Sequence, residues 1–394
     1  MTRKGAAARR LDGFGTSIFT EMTRLAVEHQ AVNLGQGFPD FPAPEFVKQA
    51  ARAAIAGDHN QYAAAPGLPR LRRAIAEHFQ RRHGLAVDPD REVTVAAGAT
   101  ECLFDAILAL LDPGDEAIVF EPTYDAYVPA IRMAGGVARV VTLRPPLWDF
   151  DADELAQAFT PRTKLLVLNT PHNPTGKVFS PAELDVVARL CAQHDVIAVC
   201  DEVYSEITFD GVPHVPLASR PGMRERTVTV DSIGKTFSVT GWKIGWAIAA
   251  PAITTAIRGV HQFVTFCNAT PFQEAAITAL DEGQANGYFD RLRAEYAGRR
   301  DRLHALLAEV GLPTLPIQGA YFLLAEFDRL GAGRFADDVA FCRHLTTDVG
   351  VAAIPPSAFY ADPASAPRLV RFCFAKSDAT LAAAAERLRR LSPG

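Results

Sequence analysis

The chain has 394 residues, 48% of them hydrophobic and 22% charged, with a formal net charge of −5. That length suggests about two to three domain-sized units and an ordinary core, and the near-balanced charge argues against strong attraction to nucleic acid or anionic membrane. No run of about 18 apolar residues occurs, so no transmembrane helix is expected, and the start MTRKGAAARRLDGFG lacks the apolar core and cleavage site of a secretory signal.

Continuous apolar runs at 93–97, 117–120, 165–168, 196–200, 227–230 and 245–249 read as strands buried on both faces. Helical patterns at 101–111, 181–193 and 252–264 alternate with them. Such alternation predicts an α/β fold built on a mostly parallel sheet. After about residue 285 the character changes. A charged helix over 291–310, a strand over 320–326, a further helix and strand, and a last helix starting near Ser377 predict a smaller α+β unit. Six scattered cysteines form no CxxC pair and read as buried thiols of a reducing, cytoplasmic compartment.

Ligands of parallel sheets bind beyond the carboxyl ends of the strands. After the first run, Gly98-Ala99-Thr100 opens a helix, a turn whose free N–H groups suit an anion. After 165–168 comes a proline-stiffened loop, Asn169 to Gly176, carrying the amide of Asn173. Asp201 closes the next run, with Tyr204 three residues on. A carboxylate there needs a partner or serves as a turn cap. After 227–230 come Ser232, Lys235 and Lys243; the chain holds only seven lysines, and two fall within nine residues here. The GxxxxGK[ST] spacing of a P-loop is missing. An anion site, an acid, a phenol, an amide and an amine of lowered pKa together are what pyridoxal 5′-phosphate requires.

The segments NLGQGFPDF (33–41), NQYAAAPGLPRLR (60–72), GATECLFDAI (98–107), EPTYDAY (121–127), NTPHNPTGKVF (169–179), DEVY (201–204), SIGKTFSVTGWKIGW (232–246) and VRFCFAKSDATL (370–381) resemble, in order and spacing, the fold-type I, class I pyridoxal-phosphate-dependent aminotransferases. HQFVTF (261–266) and GVAAIPPSAFY (350–360) narrow the likeness to methionine aminotransferases and kynurenine–glutamine transaminases. The resemblance implies a large domain with a seven-stranded, mostly parallel sheet between helices over 41–285, a small α+β domain over 286–394, and an N-terminal segment, 1–40, joining the latter. It implies that Lys235 holds the cofactor as a Schiff base and moves the substrate Cα proton. Asp201 would pair with the pyridine nitrogen, Tyr204 and Asn173 with the ring oxygen, and Tyr124 would stack on the ring. Ala99, Thr100, Ser232 and Lys243 would bind the phosphate, joined by Tyr62 from a neighbouring subunit of a homodimer. Arg371, whose planar fork suits a carboxylate, would clamp the substrate beside Gly37.

Dicarboxylate-specific relatives need a second cation. The segments 261–271, with Phe263 and Phe266, and 15–19 carry no arginine or lysine. An apolar pocket therefore implies methionine, aromatic amino acids, kynurenine or glutamine as donor. Cys267 stands where kynurenine transaminases commonly have histidine, which leans the reading toward methionine. Three alternatives share the scaffold: an N-succinyl-diaminopimelate aminotransferase, a C–S β-lyase, and a ligand-sensing regulator. The last is disfavoured because no basic helix-turn-helix segment precedes the domain.

Overall fold

The structure, a computed structural model, describes residues 8–12, 14–15, 17–331 and 333–391. The basic start through residue 7, Thr16 of the uncharged 15–19 segment and the last three residues lie outside the described residues.

After a short strand β1 (Val32–Asn33), seven strands form one sheet: β2 (Val93–Ala96), β3 (Glu116–Glu121), β4 (Val137–Thr142), β5 (Thr163–Asn169), β6 (Ile197–Asp201), β7 (Thr227–Ser232) and β8 (Gly245–Ile248). Their spatial order is β2-β8-β7-β6-β5-β3-β4. Only β8 runs against its neighbours, pairing antiparallel with both β2 and β7. The six expected runs all became strands. The seventh, β4, lies at the sheet edge with Val137 half exposed, and so lacks a continuous apolar run.

Both faces of the sheet are covered. Ile118, Leu166, Ala198 and Cys200 pack with Leu184, Val187 and Cys191 of the helix Pro181–His194. The alternate residues Ala117, Val119, Leu165, Val199 and Val228 pack with Leu103, Ala106 and Ile107 of the helix Ala99–Leu110. Period-two alternation thus divides one apolar run between two cores. The helix Ala99–Leu110 begins two residues before its expected start at 101. Gly98, at φ +81°, turns the chain straight from β2 into it.

The C-terminal part contains the helix Tyr288–Glu309, β9 (Phe322–Glu326), the helix Asp338–His344, β10 (Val351–Ala352), β11 (Leu369–Cys373) and the helix Asp378–Leu388. β9 and β11 pair antiparallel. The last helix is capped by Ser377, whose hydroxyl accepts from Thr380 N at 3.2 Å. β1 pairs parallel with β10, Val32 opposite Val351, so the N-terminal segment is bound to this part of the molecule. Met22 and Leu34 accordingly share a core with Tyr321, Phe341 and Phe372. This attachment carries the next residues, Gly35 to Phe38, to the sheet's ligand-facing edge. All six cysteines are free, five of them buried. No described helix is long and apolar enough to cross a membrane.

Leu166 is fully buried on the interior strand β5. Leu166→Ala should lower the unfolding free energy by about 3 kcal/mol, the cost of a core cavity. A denaturation midpoint equal to that of the parent would contradict the assignment of this strand to the core.

Candidate active site

A cleft of about 390 Å³ opens beyond the carboxyl ends of the parallel strands. Asn169, Asp201 and Ser232, the last residues of β5, β6 and β7, all line it. Of the other expected residues, Gly37, Ala99, Thr100, Tyr124, Asn173, Tyr204, Lys235, Lys243 and Arg371 line it as well.

Two glycines shape its anion end. A Cβ on Gly98 would lie 3.0 Å from Lys243 Nζ, so the ammonium rests against the glycine. A Cβ on Gly245 would lie 2.5 Å from Ala99 N and from the Gly98 carbonyl carbon. Only glycine there lets β8 close against the first turn of the helix. The turn's N–H groups, Thr100, Ser232 and Lys243 line this end together, a cradle of donors with the chemistry to hold a phosphate.

Glu101 sits in that same turn, and its charge would oppose an anion. Its carboxylate accepts from Ala97 N, from the Thr265 hydroxyl and from His261 Nδ1 at 2.9 Å. His261 Nε2 lies 2.9 Å from Ala65 O. Burial works against the imidazolium, yet the nearby carboxylates of Asp105 and Glu101 carry its pKa up to about 9. A cation therefore neutralises Glu101 beneath the cradle. Sequence reasoning missed this pair, because 160 residues separate its members.

Asp201 is 5% exposed, and among the described residues no cation lies within ion-pair distance of it. Tyr127 donates to its Oδ2 at 2.7 Å, and Asn169 donates to its backbone oxygen at 2.9 Å. Burial raises its pKa, against the pull of the Tyr127 hydroxyl. Tyr127 belongs to the quoted EPTYDAY segment but was not among the expected site residues.

Lys235 lies in the short helix Ile233–Thr236 directly after β7. Its Nζ donates to Gly37 O at 3.2 Å and lies 5.8 Å from the ring centres of Tyr204 and Tyr321. Burial lowers its pKa to about 8, with Cys373 and Asp201 opposing and Lys243 and Arg371 reinforcing.

Arg371 is 1% exposed. Its Nη1 donates to Asn173 Oδ1 at 2.9 Å and its Nη2 to Gly35 O at 2.8 Å, while Nε has no partner. Phe322 lies 4.3 Å from the guanidinium, with Phe19 and Phe359 each at 5.2 Å. No carboxylate of the described residues is within ion-pair distance of it. A buried guanidinium with an orphan N–H has the chemistry to take a ligand's carboxylate.

Tyr62 and Phe266 are not brought to the cleft of their own chain. Tyr62 is 84% exposed and Phe266 40%, their rings edge-to-face at 5.6 Å. The helix Pro251–Val264 ends on the anchored His261, and Phe266, at φ +69°, turns outward with its N–H bonded to His261 O. Phe263, 89% exposed, lies on the same surface.

A buried acid lacking a cation, an amine of lowered pKa and a glycine-built anion cradle match the pyridinium nitrogen, aldehyde and phosphate of pyridoxal 5′-phosphate. The residues present fit that cofactor. Residues 29–388 match the family model for aminotransferases of class I and II. The chain is similar to the methionine aminotransferase of Escherichia coli strain K12, at 44% identity over 97% of each chain. It is also similar to the human kynurenine–oxoglutarate transaminase 1, at 42% identity over 98% of each. The solved N-succinyldiaminopimelate aminotransferase of Mycobacterium tuberculosis superposes with a TM-score of 0.94, at 44% identity, over 98% of this chain and 100% of that one. The chain belongs to the class I and II aminotransferases. It is a pyridoxal-phosphate-dependent enzyme of fold type I that moves an amino group between an amino acid and a 2-oxo acid.

The neutral amine, not the ammonium, attacks the cofactor aldehyde. Mixing cofactor-free protein with pyridoxal 5′-phosphate should therefore give a condensation rate that rises with pH and levels off above about 8. A midpoint near the ordinary lysine value of 10.5 would contradict the burial of Lys235.

Proposed function

We propose that this aminotransferase takes L-amino acids with neutral, mainly apolar side chains as donors, methionine first, with aromatic amino acids, kynurenine and glutamine in the same class. The observation that carries this is the cleft wall. Lys235, Lys243 and Arg371 are its only lysines and arginines among the described residues, and each is already assigned. Phe19, Phe38, Leu103, Val203, Ile244 and Phe322 give it an apolar lining, so nothing there matches a distal carboxylate. The methionine and kynurenine transaminases it resembles support the same class.

Bound pyridoxal phosphate supplies a carbonyl for the exchange and a ring that takes up the electrons left at Cα. The chain does the rest. Arg371 binds and orients the substrate α-carboxylate, with Gly37 alongside; a Cβ at Gly37 would lie 3.1 Å from Phe322, so the backbone there stays close. Asn173 uses its oxygen on Arg371, leaving its NH₂ group, with the Tyr204 hydroxyl, for the ring oxygen. Asp201, steadied by Tyr127, keeps the ring nitrogen protonated. Tyr124 stacks on the ring. Ala99, Thr100, Ser232 and Lys243 hold the phosphate. With the cofactor bound, Lys235 would take the substrate Cα proton and pass it on, as base and then acid.

The active form is a homodimer. Tyr62, Phe263 and Phe266 form an exposed aromatic surface on this chain. On this reading Tyr62 reaches the partner's phosphate and Phe266 the partner's substrate pocket; sedimentation at the chain mass rather than twice that mass would overturn it. The large unit spans 41–285 and the small one 286–394, with 1–40 joined to the latter, a division supported by the pairing of β1 with β10. The cytoplasm suits its free thiols.

The deciding experiment is a donor screen with several 2-oxo acids, read by product analysis. Methionine or another neutral donor should exceed aspartate in kcat/KM by at least about tenfold. Lys235→Ala should abolish turnover, and Arg371→Lys should raise KM by about tenfold or more. Aspartate as the best donor would overturn the donor class. Ammonia and pyruvate from cystathionine without an oxo acid would point to the β-lyase. Preferential turnover of the N-succinylated substrate would point to lysine biosynthesis.

A further inference from the structure

Four consecutive backbone carbonyls, Gly35 to Phe38, each receive a donor from the C-terminal part of the chain or from Lys235. Arg371 Nη2 bonds Gly35 O at 2.8 Å. Gly37 O accepts from Tyr321 at 2.7 Å and from Lys235 at 3.2 Å. The carbonyls on either side, Gln36 O and Phe38 O, accept from one side chain, Lys376 Nζ, at 3.1 and 2.9 Å.

Lys376 was one of the lysines given no role by sequence. It is 3% exposed, and no carboxylate of the described residues lies within ion-pair distance of it. A buried ammonium is costly without an acid. Here its charge meets two carbonyls and the Phe38 ring, 5.0 Å away. The same carbonyl segment is bolted a second time just beyond, where Asp40 accepts from Ser377 N and from the Thr380 hydroxyl, each at 2.5 Å. Gln36, Gly37 and Phe38 all line the cleft.

We infer that Lys376 is a positioning residue of the amino-group transfer: by gripping the carbonyls that flank Gly37, it fixes the segment against which Arg371 and Lys235 are aligned. Only two residues, Gln36 and Gly37, separate Gly35, whose oxygen is held by Arg371, from Phe38, whose oxygen is held by Lys376. Release of the Lys376 end leaves two carbonyls unpaired and frees the segment to shift relative to the carboxylate site. The loss falls on substrate binding, because Asp201, the cradle and the backbone of Lys235 are carried by other elements, whereas Arg371 holds the segment directly at Gly35 O.

The inference rests on the roles given above to Arg371 and Lys235, and the test separates the two. In the holoenzyme, Lys376→Met should raise the KM of the preferred amino donor by about tenfold while kcat changes by less than about threefold. The Kd of 3-phenylpropionate, a carboxylate that cannot transaminate, should rise by the same factor in calorimetry. Lys376→Arg, which keeps the charge and can reach both carbonyls, should restore both values to within about threefold of the parent. If the methionine variant is insoluble, Lys376→Gln, retaining one donor group, should show the same split at about half the effect on a logarithmic scale. A lowered melting temperature with KM and Kd unchanged would overturn the inference, as would an arginine variant as impaired as the methionine one. If Arg371→Lys also leaves KM unchanged, the assignment of Arg371 fails; if it raises KM and Lys376→Met does not, the Lys376 inference alone fails.

Discussion

Buried charge without a protein counter-ion is the constraint on which this molecule turns. Asp201, Lys235 and Arg371 line one cleft, the acid and the guanidinium buried and the amine partly so, and none is paired with an opposite charge of the described residues. Removing an ion from water costs several kcal/mol, even after relaxation. The fold meets that cost with oriented neutral groups: the Tyr127 hydroxyl for the acid, the Gly37 carbonyl for the amine, and the Asn173 amide and Gly35 carbonyl for the guanidinium. Such groups stabilise without cancelling the charge. The acid remains available to a ring nitrogen and the guanidinium to a carboxylate.

The architecture explains how charges so far apart in sequence are held together. Three parallel strands end on cleft residues, which supplies the rigid floor. The N-terminal segment, tied to the C-terminal part through β1 and β10, supplies a carbonyl-lined wall opposite. Arg371 on β11 and Lys235 after β7 are both fastened to that wall, at Gly35 and Gly37. The cation Lys243 and the helix turn at Ala99 close the anion end, a contact that glycine at 98 and 245 makes possible.

Much of this was legible in the sequence, for a physical reason. Strands buried on both faces leave continuous apolar runs, and in a parallel sheet the residues after those runs face the ligand. Asp201, Asn173, Ser232 and Lys235 were found that way, and the resemblance added Arg371, Tyr124 and Gly37. The edge strand β4 escaped because one face meets solvent and its run is broken. The interactions that hold the charges were not legible. Glu101 with His261, and Lys376 with Gln36 and Phe38, join residues distant in sequence, and a carbonyl acceptor carries no side-chain signature at all. Tyr62 and Phe266 show the converse. The motifs named them, but the folded chain turns both outward.

The most direct test of the central claim is the charge of Asp201. Asparagine at this position keeps the shape and the Tyr127 contact but removes the counter-ion for the ring nitrogen. In the Asp201→Asn holoenzyme, stopped-flow measurement of a single half-reaction with the preferred donor should show cofactor still bound and the rate lowered by about a hundredfold or more. A half-reaction as fast as that of the parent would contradict the account.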